Sequence, residues 1–70
     1  MQATKVTITI DCTNFMAHDY PEIKSGMYVE CYNGSKGFIK NVILKNYFTI
    51  DDKELLHKMD IKTLSYEQSI

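Results

Sequence analysis

The chain has 70 residues, 44 % of them hydrophobic and 24 % charged, and its eight lysines and nine carboxylates, with no arginine, leave a net charge of −1. That length suits one small domain near the lower limit for independent folding, and the composition is that of a globular chain, neither a disordered tail nor a membrane span. No apolar run approaches a transmembrane helix or signal-peptide core, so a cytoplasmic setting without membrane contact is expected, and the lack of guanidinium forks and basic surplus disfavours strong non-specific nucleic-acid binding.

Residues 5–12 place Val6, Ile8, Ile10 and Cys12 on one face and Thr7, Thr9 and Asp11 on the other, the alternation of a half-buried strand. Lying ahead of the remaining pattern, this strand has an edge that suits pairing with a partner's sheet or with a second copy, so a homodimer through an edge strand is one expectation. Residues 13–24 have no clean period and contain the only proline. They read as a long loop with one helical turn over 14–18, closed by Pro21, which forces Tyr20 out of the helical region.

Ser25-Gly26 signals a turn, and residues 27–32 form a second strand with Met27, Val29 and Cys31 opposite Tyr28, Glu30 and Tyr32. Residues 33–37 read as a compact turn whose glycines supply positive backbone angles. In residues 38–46, Ile39 and Ile43 share a face with Asn41, and Phe38, Val42 and Leu44 share the other with Lys40. Both faces therefore bury something, as in a strongly bent strand serving two sides of a small barrel. A short turn at Lys45-Asn46 leads to a fourth strand over 47–50. Across 51–59, Asp51 and Glu54 fit a capping box, and Leu55, Leu56 and Met59 fit short helical spacing. A last strand follows over 61–66, with 67–70 expected to fray. The fold class is mainly β: a single-domain five-stranded barrel or strongly bent antiparallel sheet with one short helical turn.

Cys12 and Cys31 sit in or beside strand patterns, where cysteine acts as a small buried hydrophobe, and without a secretion signal both are expected to be reduced. Together with His18 and His57 they lack the paired spacing of a zinc site, so no metal is expected. Asn33-Gly34-Ser35 fits a glycosylation sequon but has a local explanation as a turn. The chain has no nucleophile elbow, phosphate-cradling glycine loop or metalloprotease helix motif, and a domain of this size rarely encloses a catalytic pocket. Neither catalytic residues nor a cofactor are expected.

The stretch from Gly26 to Val42, with Gly26 before an alternating Met27, Val29 and Cys31, then Lys36-Gly37 opening a return strand with Ile39 and Val42, resembles the KOW-like hairpin of small SH3-like β-barrels. The resemblance implies a five-stranded SH3-like barrel and, in some members, RNA binding; fold alone does not carry function. Five tyrosines and three phenylalanines, with Tyr28, Tyr32, Tyr47 and Tyr66 on faces or strand ends, favour a protein-interaction module, since tyrosine gives large contact area at low entropic cost. The alternative is RNA or single-stranded DNA, with Tyr28, Tyr32 or Tyr47 stacking bases, Lys36, Lys40 and Lys45 holding phosphates, and Asn33, Asn41 and Asn46 beside them. These lysines lie in an acid-free stretch between Glu30 and Asp51, and Asp51, Asp52, Glu54 and Asp60 follow, which predicts a dipolar surface. Richness in Ile, Lys, Asn and Tyr points to an AT-rich coding sequence of a low-GC bacterium or phage, and to an accessory or inhibitor role.

Overall fold

The computed structural model describes residues 4–52 and 54–70; Lys53, within the expected helical stretch, lies outside the described residues. Among those described, seven strands form two antiparallel sheets: β1 (Lys5–Asp11), β2 (Tyr28–Cys31), β3 (Lys36–Phe38), β4 (Asn41–Ile43), β5 (Tyr47–Thr49), β6 (Leu56–His57) and β7 (Ile61–Ser69). One sheet runs β1-β7-β2-β3 and the other β4-β5-β6. The chain is mainly β, as its alternation predicts, in the bent-sheet form: among the described residues the strands do not close into a barrel. No helix in them is long and apolar enough to cross a membrane.

The predicted bend is real and falls at Ile39-Lys40. Ile39 N–H still donates to Met27 O (2.7 Å) in the first sheet, whereas Lys40 N–H donates to Thr49 O (2.8 Å) in the second. One run of sequence thus supplies β3 and β4 and carries the chain between sheets. Val29, Phe48, Ile61, Leu64 and Cys12 are fully buried and are joined by Ile23, Ile39, Cys31 and Leu56 in one core. Burying a ring the size of Phe48 stabilises by about 3 kcal/mol.

Before β2 the chain makes one 3-10 turn, Ala17–Asp19, with the Asp19 carboxylate accepting Met16 N–H (2.8 Å). It stops where Pro21 requires: Tyr20 is extended at φ −70, ψ 135. The buried Tyr20 ring packs edge-on against Phe15 with centroids 5.2 Å apart, and its O–H donates to Ile61 O (3.1 Å), satisfying the hydroxyl.

Three expectations are corrected. Among the described residues, 51, 52 and 54–59 form no α-helix: Asp52 takes φ +67, which a helix excludes, Leu56 enters β6 opposite Phe48, and the segment ends in a 3-10 turn, Lys58–Asp60. Helical packing would bury Leu55, Leu56 and Met59 together, yet only Leu56 is buried. The hairpin loop is Tyr32-Asn33-Gly34, not 33–37, because Gly34 at φ +93 lets Ser35 O accept Cys31 N–H at 2.8 Å. Residues 67–70 do not fray: Glu67, Gln68 and Ser69 pair with Thr7, Val6 and Lys5, and Ile70 N–H donates to Thr4 O (3.0 Å).

Candidate partner-binding groove

β7 is longer than the strand beside it. Its pairing with β2 begins at Ser65 opposite Tyr28, so residues 66–69 continue with β1 alone on one side. Antiparallel ladders alternate: Ile70 and Lys62 bond toward β1, so the even residues of β7 face β1 and the odd ones face β2. Glu67 and Ser69 therefore direct their backbone N–H and C=O into the space that β2 leaves. Among the described residues no backbone bond fills it.

That space belongs to a groove of about 850 Å³ between the end of β7 and the loop before β2, with Glu22, Lys24, Gly26 and Met27 on the loop side and Ser65, Tyr66 and Glu67 of β7, with Thr7 of β1, on the strand side. Gly26 turns the loop away, at φ +93 and with its N–H given to Ile39 O (2.9 Å). Tyr28 and Phe38 form the aromatic wall. They are cross-strand partners in the β2–β3 hairpin, packed edge to face with centroids 5.2 Å apart, and Phe38 is 65 % exposed. Such a pair is stabilised by ring geometry, yet it leaves a large apolar surface in water.

Of the residues singled out from sequence, Tyr28 lines the groove and Lys36 lies on the same outer face of β3 as Phe38, opposite Glu30. The others are elsewhere. Tyr32 is exposed in the hairpin loop, and Tyr47 stands in the second sheet with its ring edge-on to His57 at 4.9 Å. Lys45 occupies the β4–β5 turn. Lys40 is paired with Asp52, whose carboxylate raises the pKa of the ammonium and whose other oxygen accepts Asn41 Nδ2–H at 2.8 Å. Asn33 donates to Glu54 Oε1 (3.0 Å). Asp52 and Glu54 thus fold back onto the hairpin and β4, where Asp52 pairs with Lys40, so these opposite charges meet instead of segregating.

Phe38, Met27 and the unpaired backbone edge of Glu67 and Ser69 were not anticipated. The signal for Phe38 lies in the loop: centring the hairpin on Asn33 puts residues 28 and 38 opposite each other, whereas a turn over 33–37 does not. Cys12 and Cys31 are buried, unpaired and remote from solvent chemistry; burial, then the negative charges of Asp60 and Glu54, pushes the Cys31 thiol up to about 11. Among the described residues no three of His, Cys, Asp and Glu gather as a metal-holding group. The groove's chemistry is therefore that of unpaired backbone, aromatic surface and a mixed rim of Glu22, Lys24 and Glu67. Comparison with known protein families, curated proteins and solved structures finds no significant match, so the functional reading rests on this geometry.

Proposed function

We propose that this chain is a non-catalytic binding module whose groove beside β7 takes an extended segment of a partner protein. The carrying observation is an unpaired strand edge next to an exposed aromatic pair: Glu67 and Ser69 offer donors and acceptors, and Tyr28 and Phe38 offer a wall for the incoming side chains. Strand addition draws affinity from main-chain hydrogen bonds and specificity from alternating side chains, and buried aromatic anchors carry a large share of binding energy. Unpaired thiols agree with a reducing, cytoplasmic setting. An accessory or inhibitor role in a bacterium or phage suits so small a scaffold. The KOW-like nucleic-acid alternative has less support, because Lys36 stands in β3, Lys45 in the β4–β5 turn of the other sheet, and Lys40 is paired with Asp52.

Affinity purification from the native cell with the wild type and with Phe38→Ala tests the reading. The wild type should retain a protein that the variant loses or binds at least about tenfold more weakly, the effect of an anchor worth about 1.4 kcal/mol or more. Equal capture by both contradicts it. Binding of a mixed RNA and single-stranded DNA pool at low salt, falling steeply with added salt and abolished by Lys36→Glu with Lys40→Glu, overturns it in favour of nucleic acid.

A further inference from the structure

At the opposite side of the ribbon, β1 is the edge strand of its sheet. Cys12 N–H donates to Lys62 O (2.8 Å) and Thr4 O accepts Ile70 N–H (3.0 Å), so the even residues of β1 are spent on β7. Lys5, Thr7, Thr9 and Asp11 therefore aim their backbone N–H and C=O outward. Among the described residues none of these outward groups has a backbone partner. The seven-residue edge has no proline, bulge or inward-pointing charge to blunt it, and its two charges, Lys5 and Asp11, stand at its ends.

From this edge we propose that β1 pairs with β1 of a second copy, antiparallel about a two-fold axis at Ile8. The sequence Lys-Val-Thr-Ile-Thr-Ile-Asp is complementary to itself in that register: Lys5 lies opposite Asp11, Val6 opposite Ile10, Thr7 opposite Thr9, and Ile8 opposite Ile8. Only the odd residues have outward backbone groups, so hydrogen-bonded pairs must be odd with odd. Shifting by two residues either way keeps the bonds but sets lysine or aspartate opposite threonine. The chosen register alone gives two opposite-charge pairs, a threonine pair at each flank and an apolar centre, the pairings that stabilise antiparallel ladders. It also joins the even face of both copies, where Val6 is 47 % exposed and Ile8 and Ile10 are half-buried, into one apolar strip. Lys5 is available for this, because its contact with Glu67 is a 3.8 Å surface pair between side chains more than 60 % exposed. The pairing uses the outward backbone edge of β1, whereas the groove lies chiefly between β7 and the loop before β2; Thr7 borders both.

Sedimentation velocity of the full chain across a concentration series provides the test. A reversible dimer should predominate above about 100 µM, an affinity in the ordinary range for modest interfaces. Thr9→Pro removes an outward N–H and spares the backbone ladder to β7, losing only the Thr9–Ser65 hydroxyl contact (3.1 Å), and should leave a monomer with unchanged circular dichroism. Lys5→Asp and Asp11→Lys should each weaken association about tenfold, and the double reversal should restore it. A strict monomer at every concentration overturns the proposal, as does a double reversal that fails to rescue; the charge variants keep the test decisive if Thr9→Pro does not fold.

Discussion

Gly37 lies in β3 at φ +150, and a β-carbon built there would meet Ile50 Cγ2 at 2.7 Å. A side chain is opposed both by the backbone angle and by the close approach of the second sheet. Gly37→Val should destabilise by about 1–3 kcal/mol in urea unfolding; an unchanged midpoint would show that this contact yields freely. Cys31 makes a second residue-scale prediction. Burial and the nearby carboxylates raise its pKa from 9.0 to about 11. The folded state therefore favours the protonated thiol, and the resulting stability is fully present below pH 9.0 and lost as the pH rises through about 11. Cys12 and Tyr20 are shifted upward too, chiefly by burial, and add to the same loss. In alkaline unfolding, Cys31→Ala should start less stable but fall less steeply than the wild type. A parallel fall would mean that the thiol does not titrate there. The burial of both cysteines was legible in strand alternation alone, because each shares a face with aliphatic neighbours. The exposure of Phe38 was not, since it depends on loop length rather than on hydrophobicity.

At the element scale, the β4–β5 turn carries the clearest conflict between sequence and backbone. Leu44 and Lys45 hold φ values of +52 and +67, and Leu44 is 81 % exposed. Paired positive angles are the province of Asn-Gly, so replacing Leu44-Lys45 by Asn-Gly should stabilise by about 1 kcal/mol in the same unfolding measurement. No gain would indicate that the turn already relaxes at little cost. The strands whose apolar residues alternate, β1 and β2, were readable because period two has no competitor over several residues. Residues 51–59 were not: Leu55 and Leu56 are adjacent, so their pattern fits a helix or a strand, and the deciding influence is tertiary. Asp52 is drawn to Lys40 and Asn41, and Leu56 to Phe48. The length of β7 was equally hidden, because polar residues 67–69 are held by pairing with β1 and not by burial.

For the whole molecule, two sheets sharing one bent run create both candidate surfaces. β2 ends where the chain enters its preceding loop, while β1 and β7 continue as a ribbon, leaving the groove on one side and a free edge on the other. Folding brings Asp52 to Lys40 and Glu54 to the hairpin loop, so part of the acidic segment meets the lysine-bearing stretch. This favours recognition by backbone and aromatic contact over electrostatic attraction. Half of the site was therefore visible in sequence, in the tyrosine of β2; the other half is an empty position in a ladder, which exists only once strand lengths are set by folding. The most direct test is amide hydrogen exchange of the chain alone and in complex with its captured partner. Slowed exchange at Glu67, which lines the groove, and at Ser69, farther along the same unpaired edge, is the result predicted; unchanged exchange at both in a complex of confirmed stoichiometry would contradict strand addition in the groove.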